Sequence, residues 1–249
     1  SLPDGLSHEY ASGTTVGEIV RNAYGKKSGA VAALVDGEER DFSYILEQDC
    51  DIEPILGDTE AGRYILRHSC AHLLAQAVVE IYPDAQPTIG PPIENGFYYD
   101  FKMDPVGDGD LKKIEKKMQE HIRANHTLTR EEHDNRTLRD MFAGNPFKIE
   151  IMNDKIGMDI GSSAYRQGDF VDLCLGPHVP STSYLRWFKL TGTSQAYWKG
   201  DSSKDSLVRI YGMCFSSKDE LRERERQIEE AKKRDHKKIG KEMELYMID

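Results

Sequence analysis

The chain has 249 residues, 38% hydrophobic and 31% charged, the balance of a globular protein long enough for two separate cores. No run of about 18 apolar residues occurs, and no signal-peptide pattern of basic, apolar and small-residue blocks, so the sequence indicates neither membrane span nor export and predicts a cytoplasmic protein. Net charge is −10, which at face value argues against nucleic acid, but its distribution changes that reading. Residues 1–62 carry 13 acidic groups against only Arg21, Lys26, Lys27 and Arg40, a net of −9, and the remainder carries −1 with a basic run at Lys232, Lys233, Arg234, Lys237, Lys238 and Lys241. An acidic module and a locally basic tail hide inside one number, so the charge excludes no class of partner. Cys50, Cys70, Cys174 and Cys214 are scattered without a CxxC pair, which fits a reducing compartment.

In chain order, Pro3-Asp4-Gly5 reads as a turn. Thr14 or Thr15 caps a short helix over Val16–Val20 that ends near Gly25. Val31–Val35 followed by Asp36-Gly37 reads as a strand entering a hairpin, Asp51–Ile55 as a last strand, and Gly57–Gly62 as a boundary. From Arg63 a helix runs to about Tyr82 and stops before Pro83. Its apolar residues fall nearly all round the wheel, which predicts burial, with His68 and His72 on one face beside Ile65, Ala75 and Val79. A Gly/Pro loop, Ile89–Ile93, leads to an aromatic strand at Gly96–Phe101. A charged helix covers Asp110 to about Asn125, and a short helix follows Thr137. Phe147–Ile151, Ser163–Val171 and Leu207–Tyr211 read as strands, and Ser217 caps a long helix from Lys218 to about Lys241.

Two constellations carry chemistry. His68-x3-His72 sets both imidazoles on one helical face about 6 Å apart, suited to sharing a metal, a phosphate or a water. No Glu follows His68, so this is not the zinc-protease HExxH signature. The second is Asp172-Leu-Cys174-Leu-Gly-Pro-His178, where Gly176-Pro177 favours a loop. Together they form a candidate four-ligand set, although histidines on a core helix also serve purely structural ends. Tyr98 and Tyr99 are strand neighbours, so one of them faces inward. Lys148, on the expected strand, reads by itself as a solvated charge, Asp172 as a turn cap and Trp198 as packing.

Arg67–Leu74, Ile89–Asp100, Val171–Pro180, Ala196–Ser202 and Arg234–Lys241 occur in the order, and closely in the form, of bacterial-type threonyl-tRNA synthetases. The chain resembles that family over essentially its whole length. The resemblance implies an α+β fold: a small ubiquitin-like β-grasp (TGS-like) domain at 1–60, a larger α+β editing domain at 61–216, and a charged linker helix at 217–249. The class II motifs that bind ATP and amino acid are not among these residues, so the resemblance implies editing, hydrolysis of serine from mischarged threonine tRNA, without charging. Its partners are then the acceptor end of tRNA(Thr) carrying serine, and a separate or downstream catalytic core. The chemistry has a physical reason, since a pocket discriminates by only about 1–3 kcal/mol when serine lacks one methyl of threonine.

By that resemblance His68, Lys148 and Asp172 are catalytic and His72, Tyr99, Cys174 and His178 bind substrate. His68 and Lys148 orient and activate the water, Asp172 reads the seryl amine or hydroxyl, and Tyr99 and His72 hold the terminal adenosine and shape the pocket. The set His68, His72, Cys174, His178 also resembles the zinc site of alanyl-tRNA editing proteins. Asp172 and Lys148 match the metal-free threonyl pattern, so no cofactor is expected to be required and zinc stands as a candidate. Two other readings compete: a non-catalytic tRNA-binding or regulatory module, and a zinc-dependent deacylase of another specificity such as alanyl-tRNA editing.

Overall fold

The computed structural model describes residues 7–25, 28–154 and 163–246, with side chains to Arg234 other than Lys232. The turn expected at Pro3-Asp4-Gly5 and the side chains of Lys237, Lys238 and Lys241 lie outside that description. The chain divides into two compact units, Ser1–Ser216 and Ser217–Asp249. Both helices and sheets build the first, an α+β architecture as expected.

The N-terminal elements are α1 (Val16–Tyr24), β1 (Ala30–Val35), β2 (Glu38–Arg40) and β3 (Ile52–Leu56), the strands forming an antiparallel sheet in the order β2-β1-β3. Thr15 caps α1 in a full capping box: its hydroxyl accepts from Glu18 N–H, and Glu18 accepts from Thr15 N–H at 2.9 Å. Val16, Ile19 and Val20 of α1 pack on Ala33, Val35 and Ile52 of the sheet. Asp36 and Gly37, both at positive φ, make the hairpin turn between β1 and β2.

Helix α2 (Glu60–Ile81) is the axis of the unit. It begins three residues before the expected Arg63, because Thr59 accepts the Gly62 N–H and supplies the cap. Residues 69–78 are continuously buried, as the apolar wheel predicts. Leu66, Leu73, Leu74 and Val78 join one core with Leu111, Ile114 and Met118 of α3 (Asp108–Ala124) and with Phe97, Phe101 and Ile210 of a large sheet. That sheet contains β4 (Gln86–Pro87), β5 (Pro92–Ile93), β6 (Gly96–Lys102), β10 (Trp187–Tyr197) and β11 (Ser206–Phe215). Its antiparallel order is β10-β11-β6-β4, with β5 also on β6. On the face of β6 opposite Tyr99, Asp100 accepts two bonds from Arg209 at 2.7 and 2.8 Å, and the Arg209 guanidinium lies 3.8 Å from the Tyr98 ring centre. A smaller sheet, β7-β8-β9, comprises β7 (Leu128–Glu132), β8 (Ser163–Gln167) and β9 (Phe170–Leu173).

Several expectations need correction. Phe147–Ile151 is not a strand but part of helix α5 (Pro146–Asp154). Asn145 caps it, its Oδ1 accepting from Phe147 N–H and Lys148 N–H at 3.1 and 3.2 Å, and Pro146 sits at the first helical position, where its missing N–H costs nothing. Phe147 and Ile151, one helical turn apart, then pack with Trp198 and Leu207. The single strand expected at Ser163–Val171 is the hairpin β8–β9, turned at Gly168-Asp169 with Gly168 at φ +60°. The short helix α4 (Asn135–Met141) starts ahead of Thr137, because Asp134 accepts the Thr137 N–H at 2.7 Å. The strands β7 and β10 have no counterpart in the sequence reading. In the second unit α6 (Lys218–Tyr246) is capped by Ser217, as expected, and carries the ion pairs Glu223–Arg226 and Glu229–Lys233. No described helix is long and apolar enough to cross a membrane.

Asn145 also donates to Pro87 O at 2.8 Å, tying α5 to the strand region before β6. Asn145→Ala is expected to lower unfolding free energy by about 1–2 kcal/mol, the usual loss for a cap. Urea denaturation monitored by circular dichroism checks it.

Candidate active site

Four separate elements bring the expected residues together. Successive turns of α2 present His68 and His72, with ring centres 5.4 Å apart. Strand β9 ends in Asp172 and runs into the loop bearing Cys174 and His178, β6 contributes Tyr99, and α5 contributes Lys148. His68, His72, Cys174 and His178 each offer a ligand atom within 4.8 Å of the others. Lys148 Nζ lies 2.5 Å from Asp172 Oδ1, and Tyr99 OH donates to Asp172 Oδ2 at 2.6 Å. All seven expected residues thus occupy one site.

One half of the site holds charge. Lys148 and Asp172 are buried, at 3% and 2% exposure, so each needs a partner of opposite sign to stay ionised. Lys148 also donates to Tyr99 OH at 3.1 Å, and Asp172 Oδ1 accepts the Leu173 N–H at 2.8 Å. Burial acts to raise the Asp172 carboxyl, but the Lys148 ammonium and the Tyr99 hydroxyl outweigh it and hold the group below the ordinary range. Burial, reinforced by Asp172, pushes the Tyr99 phenol well up, so Tyr99 stays a donor. Its ring is pressed against Gly90, where a Cβ would lie 2.1 Å from a ring carbon. The Ile89-Gly-Pro-Pro loop therefore sets the depth of the ring. Lys148 is no solvated charge, and Trp198 packs as expected, edge-on to Phe147 with its indole donating to Glu150 at 2.8 Å.

The other half holds neutral, lone-pair chemistry. Burial lowers the His68 imidazole to about 3, aided by His72, and lowers His72 to about 4. His178 is held well below the ordinary value for the same reason. Cys174 Sγ lies 3.3 Å from His68 Nε2 and 3.2 Å from His178 Nε2, and accepts the Gly176 N–H at 3.3 Å. Ser69, to which the sequence reading gave no role, sets the His178 tautomer. Its single proton goes to Ile65 O at 2.8 Å and its oxygen accepts from Val179 N–H at 3.0 Å. The remaining lone pair, 3.0 Å from His178 Nδ1, then takes that ring's N–H and leaves the Nε2 lone pair facing Cys174. Its signal in the sequence is the only serine of α2, next to His68 on a stretch that is otherwise mostly apolar. Tyr165, whose ring centre is 4.4 Å from that of His178, is a second residue missed; strand periodicity alone does not tell a core tyrosine from a site one.

The donor set fits zinc chemically: three neutral imidazoles and a thiol, with the His178 Nδ1–H held by a neighbour. The two Sγ–Nε2 distances are within a few tenths of an ångström of the about 3.3–3.8 Å between ligand atoms around tetrahedral zinc. The wider separations, up to 4.8 Å, would have to contract.

Residues 163–211 match the family described as the second additional domain of threonyl and alanyl tRNA synthetases, a span that includes β8, β9 and the Cys174–His178 loop. Among curated relatives, a threonine--tRNA ligase of Symbiobacterium thermophilum is 41% identical over 100% of this chain and 39% of its own length. One of Acetivibrio thermocellus is 44% identical over 100% of the chain and 40% of its own. Over its whole length this chain is homologous to threonine--tRNA ligases. The family read from the motifs is thereby shown. A threonine--tRNA ligase of Thermoplasma acidophilum, 48% identical, matches 90% of the chain and 34% of its own length. The chain spans about two fifths of the length of the curated relatives it matches.

Buried neutral imidazoles link stability to pH. A histidine whose folded pKa lies below its unfolded value of about 6.5 contributes stability that is full above 6.5 and is lost as pH falls toward the folded value. For His68 and His72 that window runs from about 6.5 down to about 3 and about 4. Unfolding free energy of chelator-treated protein is therefore expected to decline steadily between about pH 6.5 and pH 4, measured by urea denaturation at fixed ionic strength. A flat profile would contradict neutral burial.

Proposed function

We propose that this chain edits aminoacyl-tRNA, hydrolysing the ester that joins serine to the 3′ end of tRNA(Thr). Support comes from the convergence of neutral imidazoles on α2 with the buried Lys148–Asp172–Tyr99 system, within a chain homologous to threonine--tRNA ligases. In this reading water adds to the seryl carbonyl carbon, the bond to the ribose oxygen breaks, and that oxygen leaves with a proton, giving serine and free tRNA. His68, neutral, orients the water through a ring lone pair. Lys148 helps to orient and activate it: two of its three donor hydrogens point at Asp172 and Tyr99, and the third is assigned to the water. Asp172, ionised, takes the seryl ammonium or hydroxyl, and Tyr99 and His72 shape the pocket around the terminal adenosine. Cys174 and His178 complete the wall. Sieving here is steric, excluding the extra methyl that a synthetic site cannot reliably demand.

We further assign residues 1–60 to a TGS-like β-grasp, supported by α1 packed on the β2-β1-β3 sheet. Residues 61–216 are assigned to the editing domain and 217–249 to a linker helix.

A second reading has its own observation. His68, His72, Cys174 and His178 could hold zinc, and the matched family description covers alanyl as well as threonyl synthetases. Bound there, zinc would supply Lewis acidity toward an ester carbonyl or a water. Loss of activity on chelation and its return with zinc would select that reading.

Purified protein is expected to deacylate seryl-tRNA(Thr) and spare threonyl-tRNA(Thr) in a matched assay; equal turnover of both removes the specificity claim, and binding without turnover leaves a tRNA-binding module. His68→Ala should lower the rate by at least about 10²-fold while circular dichroism stays unchanged. Lys148→Ala should do the same but also destabilise the fold, because it strands a buried carboxylate.

A further inference from the structure

The acidic N-terminal module reaches the proposed site through one hydrogen bond. Asp41, just after β2 and 6% exposed, accepts from the Tyr165 hydroxyl at 2.6 Å. Tyr165 lies on β8, is 1% exposed, and faces two parts of the Cys174–His178 loop. Its ring packs against His178, and its oxygen lies over Gly176. Gly176 has φ +75°, and a Cβ there would lie 1.9 Å from that oxygen, so the phenol occupies the space a side chain would take. Beside this bond a cleft of about 700 Å³ runs between the modules, with Glu39 and Tyr44 on one wall and Arg130, Leu175 and Pro177 on the other. The outer flank of the loop therefore meets open space next to the point where the phenol is held. Arg130 adds a tether from β7, donating to Leu175 O at 2.9 Å. Asp41 is itself fixed, since its other oxygen accepts from Ser43 N–H at 3.1 Å and from the Ser43 hydroxyl.

We infer that Asp41 is a positioning residue for the editing site: through Tyr165 it sets the placement of His178 and of the loop carrying Cys174. The inference rests on the hydrolytic reading above for its effect on rate, though not for its geometry. A hydroxyl donating to a carboxylate makes a short, strong bond with a defined oxygen position. Displacing a site group by about an ångström costs up to roughly 10² in rate. The N-terminal module, on this account, acts on the chemistry without touching the substrate.

The test measures deacylation of seryl-tRNA(Thr) by the full chain, and the ring proton and carbon signals of His178 by NMR. Tyr165→Phe removes only the hydroxyl and keeps the packing volume. It and Asp41→Ala are each expected to lower kcat about tenfold with KM changed by less than about twofold. The double variant should be no slower than the slower single one, since both remove the same bond. Asp41→Asn, whose amide can bond the phenol in either orientation, should recover most of the rate. The His178 signals should shift in Tyr165→Phe. Unchanged kcat with unchanged His178 signals in Tyr165→Phe overturns the inference, as do fully additive losses in the double variant. If the unsubstituted chain does not deacylate, the functional reading fails instead, and the His178 signals still decide the positioning claim.

Discussion

The constraint that organises this molecule is the ion pair between Lys148 and Asp172, both almost wholly buried. A buried pair contributes little net stability compared with apolar residues of the same size, while losing one partner costs about 3–5 kcal/mol. Such a pair therefore penalises every arrangement of the chain that separates its members. Keeping them together demands that α5 and β9 meet, that Tyr99 arrive from β6 to satisfy the second carboxylate oxygen, and that α2 cover the result. Four elements distant in sequence are thereby committed to one arrangement.

The same site keeps charge and neutrality apart over a few ångströms. Asp172 is held ionised by Lys148 and Tyr99, whereas the three imidazoles around Cys174 are held uncharged by burial. His72 is the seam, 3.9 Å from the Asp172 carboxylate, and even that neighbour does not offset its loss of solvent. The arrangement offers an acceptor-rich wall on one side and a charged, donor-rich one on the other, which suits an ester with an ammonium on one flank and an oxyanion forming on the next.

Much of this was legible from residues alone, and the reasons differ. The His68–His72 pair and the burial of α2 follow from helical spacing and an apolar wheel, both local signals. Joining that pair to Cys174 and His178, about a hundred residues away, rests on ligand chemistry alone, with no local signal of proximity, and the addition of Asp172, Tyr99 and Lys148 comes only from family motifs. Lys148 was identified as a site residue but placed on the wrong element. The apolar alternation of Phe147, Ile149 and Ile151 imitates a strand, while the deciding Asn145-Pro146 cap lies just outside it. β7 and β10 were unreadable because they carry little apolar pattern. β10 is an edge strand largely open to solvent, and its register shifts between Leu190 and Gly192. Asp41 and Tyr165 were invisible as a pair because neither sits in a motif and their bond crosses 124 positions.

Strand β6 anchors its two faces at consecutive residues. Tyr99 hangs inward on Asp172, and Asp100 points the other way into the grip of Arg209 beneath the guanidinium's stack on Tyr98. Sliding this strand by one position would exchange the two, thrusting a carboxylate into the apolar centre and expelling an aromatic ring. A misaligned sheet is thus rejected at two sites simultaneously, so the alignment that builds this wall of the candidate site is also the one in which neither face carries an orphaned group.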